Sequence, residues 1–195
     1  MAFWSQNHGL EASIKDPKRN FRFRIEFQGI QGPDGPSLWF AKTAAKPSFS
    51  ISAAEHKYLN HTFYYPGSVT WNDVTITMVD PNDPDMTATM AAIVQEGGYR
   101  PPTDANSLQT MSKATAVNAL GSVTITQIDA QGNDLEVWTL WNAFITDLKF
   151  GDTLAYGDEN LTELSVTLKY DWARVETPQG QSVATLNQGN EFFRS

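Results

Sequence analysis

Three histidines, His8, His56 and His61, and no cysteine leave few side chains with which this sequence could do chemistry near neutral pH. The missing cysteines exclude disulfides, thiolate metal sites and cysteine nucleophiles outright. His56 and His61 stand five apart in a stretch with no helical period. They lack the i, i+4 pairing and the adjacent acid of a zinc site, so neither is assigned a metal. There is no G-x-S-x-G elbow and no phosphate-cradling G-x-x-x-x-G-K-[ST] loop, while Gly29, Gly32 and Gly35 fall by threes in a proline-containing turn rather than at a helix start. The acids Asp80, Asp83 and Asp85 sit in the run DPNDPD, where capping of a following helix accounts for them. Acids together with many aromatics would also suit a sugar cleft. A carbohydrate-active β-sandwich is therefore the distant alternative, and its carboxylate pair would have to be made by the fold. The expectation is a protein that is not an enzyme, with no catalytic residue, cofactor or metal.

Charge narrows the partners. Fourteen Lys and Arg against 22 Asp and Glu give a formal charge of −8 and a pI near 4.8, the wrong sign for gripping a phosphate backbone. Lys15, Lys18, Arg19, Arg22 and Arg24 form the one basic cluster, which reads better as salt links to acidic neighbours than as a nucleic-acid patch. No run approaches the roughly 18 apolar residues of a membrane span, so no membrane insertion is expected.

The elements that must position these residues are mostly strands. Phe21, Phe23, Ile25 and Phe27 alternate strictly with Arg22, Arg24, Glu26 and Gln28, the pattern of a strand with one buried face. Further strands are expected over 37–43, 48–52, 69–79, 122–129, 134–140 and 143–150, with a long one over 161–172. Asp85 caps a helix over 86–95 whose Met86, Met90, Ile93 and Val94 recur at helical spacing, and Gly97 and Gly98 close it. Residues 99–120 have the least pattern and read as a long excursion. With roughly seven or eight strands to one short helix, the fold class is mainly β: an antiparallel β-sandwich or small β-barrel with one α-helix packed on it. The 195 residues suit one β-domain over 20–175 with extended arms at 1–19 and 176–195.

Three places offer contact residues. Phe3 and Trp4 lie in an unpatterned N-terminal arm that leaves them needing a partner. The stretch 53–66 holds His56, Lys57, Tyr58, Leu59, His61, Tyr64 and Tyr65 without a clean buried face. It is either a hairpin whose side chains meet another subunit or one folded onto its own core. Phe192 and Phe193 end a Gln-, Gly-, Ser- and Asn-rich tail, which is either an arm with an anchor at its tip or disordered in a lone monomer.

The order of these segments is also familiar. KRNFRFRIEFQGI, then WFAKTAAKPSFSI, then FYYPGSVTWNDVTITMVDP before a helix, and finally LTELSVTLKYDWARV together resemble the tail tube proteins of T-even-type contractile-tailed bacteriophages, from about Lys15 to Val175. The excursion 99–120 and the tail beyond Glu176 depart from that family's compact pattern. The resemblance implies a subunit that forms homo-hexameric rings stacked into a hollow tube inside a contractile sheath. It further implies assembly in the host cytoplasm, residence in the virion, and contacts with sheath protein, baseplate or tube initiator, tape measure and tail terminator. Phage DNA would pass through the lumen without specific binding. A tube-initiating baseplate protein, or the tube of another contractile injection system such as a phage-like bacteriocin or type VI secretion, is the alternative.

Overall fold

A computed structural model describes residues 17–30, 40–103, 110–157, 159–177 and 191–193. Among them are eleven strands and two helices: β1 (Phe23–Phe27), β2 (Ala41–Ala44), β3 (Phe49–Tyr58), β4 (His61–Trp71), β5 (Val74–Val79), α1 (Met86–Glu96), α2 (Lys113–Leu120), β6 (Val123–Ile128), β7 (Asp134–Trp141), β8 (Phe144–Lys149), β9 (Glu163–Lys169), β10 (Trp172–Glu176) and β11 (Glu191–Phe192). They pair, always antiparallel, into a five-stranded sheet β1-β6-β7-β10-β11, a four-stranded sheet β2-β5-β9-β8 and a two-stranded ribbon β3-β4. Alternation sets which face each strand buries. Ile25, Val123, Ile125 and Leu140 from the first sheet join Val74, Ile76, Met78, Leu164, Val166 and Leu168 from the second in one core, which Met86, Met90, Ile93 and Leu120 of the helices complete.

This corrects the expected sandwich or barrel. The sheets are open, bordered by β1 and β11 in one and by β2 and β8 in the other. Closure would need those borders to run alongside one another, and β2 and β11 have only four and two residues with which to do so. A second correction is the extra helix: α2 lies inside the supposed excursion. Ser112 and Thr115 form its reciprocal cap, with Thr in place of the usual Glu or Gln, and the helix is short and rich in alanine, so its period was faint.

The single strand expected over 161–172 is two. β9 belongs to the four-stranded sheet and β10 to the five-stranded one, and the crossing at Tyr170 and Asp171 shifts the inward phase from Leu164, Val166 and Leu168 to Ala173. Trp172 instead stacks on Trp141, 6.1 Å away across the β7–β10 pairing. The run 69–79 divides likewise at Asn72, whose amide donates to the Ser48 carbonyl at 2.8 Å. Helix α1 forms as its signals imply, Asp85 accepting from the Ala88 amide at 2.9 Å.

Part of the basic cluster is tied to acids. Arg24 reaches Asp134 at 3.1 Å, and Lys18 pairs with Glu136, which also accepts from Lys46 at 2.8 Å and from the Trp138 indole; Lys15 lies outside the described residues. Burial pushes the Glu136 carboxyl upward, but the hydrogen bonds from Lys18, Lys46 and Trp138 outweigh it and hold the group at about 2 instead of 4.5. A carboxyl depressed on folding stabilises the fold above its unfolded value, and that stabilisation is lost as pH falls from 4.5 through about 2. Glu136→Gln is expected to cost about 2 kcal/mol at neutral pH, allowing for the solvent around both lysines. The deficit should shrink toward zero in urea melts near pH 2, and a difference independent of pH would contradict this account.

Candidate assembly interface

The β3–β4 ribbon carries most of the contact residues expected from sequence. All ten residues of β3 are exposed, and β4 is exposed along nearly its whole length. Among the described residues its strands pair only with each other, and Trp71 at its base is the one ribbon side chain packed against the shared core. Register assigns the faces, because residues directly opposite one another point the same way. Near the tip, the pairs Ala54–Tyr65, His56–Phe63 and Tyr58–His61 share one face, and the His61 and Phe63 rings meet edge-on at 4.6 Å. The other face carries Phe49–Trp71 and Ile51–Val69 near the base, then Glu55–Tyr64 and Lys57–Thr62. Lys57 and Tyr64 therefore stand apart from His56, Tyr58, His61 and Tyr65, which the fold gathers into one ring-lined surface.

Between the two halves the register shifts after Ile51, and Gly67 comes so close to the other strand that an added Cβ would lie 2.4 Å from the Ser52 hydroxyl. At the tip, the two-residue turn Leu59–Asn60 places Leu59 at φ 51 with 87% of its surface exposed. The left-handed region costs an ordinary L-residue about 1 kcal/mol. A bulky apolar side chain held there in water gains nothing for the monomer.

The base of the ribbon is anchored by the end of the chain. Phe193 packs edge-on to Phe49 at 5.8 Å and to Trp71 at 5.6 Å, and Trp71 lies 5.9 Å from the buried Tyr170 ring. Burial pushes the Tyr170 phenol up to about 12. Phe192 sits one residue earlier in β11, opposite Val175. The tail thus returns to its own body over these residues, while Phe3 and Trp4 lie outside the described residues.

Sequence reasoning passed over Phe63, although its i±2 relation to His61 and Tyr65 was a usable signal, and over Phe49, Ile51 and Val69, whose exposure local alternation does not reveal. It also passed over the loop after β8, where Phe150, Leu154, Tyr156 and Leu161 are exposed. A second contact resource is backbone: border strands β1, β2, β8 and β11 each have one side without a partner strand among the described residues, and such borders can pair with another chain. Among the described residues no three His, Asp or Glu side chains gather as a metal site, and no helix is long and apolar enough to cross a membrane.

No protein-family model matches the chain, nor does any curated protein. Solved structures do. A chain in the cryo-EM structure of the anti-feeding prophage (AFP) baseplate aligns with a TM-score of 0.59 and 16% identity over 83% of this chain and 96% of its own. A chain in the PVC sheath/tube terminator of an extracellular contractile injection system, in its extended state, aligns at 0.60 and 15%, covering 85% and 100%. One from the PVC sheath-tube complex aligns at 0.58 and 16%, covering 84% and 94%. This protein accordingly shares its fold with chains of the anti-feeding prophage and of an extracellular contractile injection system.

Proposed function

We propose that this chain is a structural subunit of the inner tube of a contractile injection apparatus, built from stacked rings of identical copies. The observation that carries the reading is an exposed, ring-lined hairpin on a body whose two main sheets both end in open borders. Backbone donors and acceptors at those borders are satisfied if copies join edge to edge around a closed ring, and the hairpin then bridges to the next ring. The N-terminal arm, with Phe3 and Trp4, is assigned the same bridging role. Tubes of other contractile injection systems fit the fold similarity more directly than does the T-even-type tail tube. The finer reading keeps the phage setting: hexameric rings in a virion, a lumen through which DNA slides past an acidic subunit, and sheath, baseplate initiator, tape measure and terminator as partners.

Negative-stain microscopy of the concentrated pure protein tests the proposal: rings or tubes support it, and a persistent monomer even beside sheath and baseplate partners overturns it. Deleting residues 1–16, which spares Lys18 and its pair with Glu136 and the Arg19 carbonyl that accepts from Gln127, is expected to shorten tubes while leaving rings and the fold intact. Tubes of unchanged length would remove the arm from the account.

A further inference from the structure

α1, α2 and the border strand β8 enclose a cleft of about 210 Å³ lined by Ile93, Val94, Ala116, Leu120, Ile145 and Leu148. Among the described residues Asp147 is the one charged side chain in its lining. Of the neighbouring lysines, Lys113 is paired with Asp171 and Lys149 with Asp152, Lys149 also standing within the field of Asp147. Glu96, exposed three residues beyond Ile93 on the same face of α1, adds a second negative charge at the rim. The cleft therefore suits an apolar group of one or two side chains flanked by positive charge.

The hairpin tip has that chemistry. Tyr58 and Leu59 are its exposed apolar end, Lys57 precedes them, and the one nearby acid, Glu55, lies two residues further back. Within a single chain Leu59 points into water, so the tip of a given copy is not in its own cleft. We propose that the Tyr58–Leu59 tip of one copy docks in the α1–α2–β8 cleft of a second copy, with Lys57 set against Asp147. The proposal rests on the tube reading and names the receiving surface for its hairpin. Knob and cleft are different parts of the same molecule, so each copy offers both, and a head-to-tail contact passes from copy to copy. Opposite charges at the rim select the register of docking.

The cysteine-free chain allows a direct test. Leu59→Cys combined with Thr146→Cys, oxidised after assembly, is expected to give a ladder of covalent oligomers on a non-reducing gel, whereas either cysteine alone gives dimers at most. In parallel, Lys57→Asp and Asp147→Lys should each raise the concentration needed for assembly about tenfold, and the two together should restore it to within about threefold. Tubes without the ladder, or a charge-swapped pair as weak as its single variants, overturn the docking while leaving the tube reading standing. A wild-type chain that never forms rings or tubes overturns both.

Discussion

Replacing Tyr58 and Leu59 together by aspartate is expected to raise the concentration required for tube formation at least about a hundredfold, while the isolated subunit melts within about 2 °C of the wild type. Burying a leucine or a large ring contributes about 1.5–3 kcal/mol each, and putting carboxylates in their place adds a desolvation cost, so the loss per contact exceeds about 3 kcal/mol. The subunit is spared because both side chains are already in water, at 64% and 87% exposure. Leu59 moreover occupies a left-handed turn position that aspartate tolerates better than leucine, which offsets any loss from the Tyr58–His61 pair. Pelleting assays across a dilution series, alongside thermal melts of the monomer, separate the two effects. Unchanged assembly would remove the hairpin tip from the interface, and a collapsed melting temperature would make it part of the subunit's own fold.

Gly29→Ala should act in the opposite sense, on the fold first. Gly29 follows the end of β1, where its amide donates to the Leu120 carbonyl at 3.0 Å. A Cβ there would lie 2.3 Å from the Ala119 carbonyl oxygen and 2.5 Å from that of Leu120, both backbone atoms with no freedom to swing away. Gly121 closes the same junction from the other side at φ 71, and its own Cβ would stand 2.6 Å from the Gly29 nitrogen. The two glycines let the chain leaving α2 lie directly against the end of β1, where the β1–β6 ladder runs out, with Leu120 fully buried beneath. Forcing them apart strains that contact and weakens the hydrogen bond, at a cost of about 3 kcal/mol. For a chain of this size the melting temperature should drop about 6–12 °C. A drop below about 2 °C would mean that the junction yields freely and that α2 is not held on β1 in this way.

These two substitutions also mark what could be read in advance. The aromatic stretch around Tyr58 drew attention because its residue types lacked a buried face, and Asp85 with its methionine stripe announced α1 because a cap and a helical period are local. The alternations over 21–28 and 69–79 likewise put Ile25, Phe27, Val74, Ile76 and Met78 on inward faces, whereas Phe21, on the same expected face as Ile25, is exposed because it lies before β1 begins. The Gly29–Gly121 junction was not legible, since 92 residues separate two glycines that each looked like an ordinary turn. Lys18 and Glu136, 118 positions apart, are the same kind of case.

The sequence by itself therefore determined the mainly β character, the polarity of most strands, the first helix and the aromatic segment, because each follows from side-chain periods or caps within a few residues. Only the tertiary structure decided that the sheets stay open and that the run 161–172 serves two of them. The same holds for α2 closing on β1 and for Lys57 and Tyr64 facing away from the other tip residues. Strand partners and register are settled by contacts between distant segments competing for one core, and alternation is the same whichever partner wins.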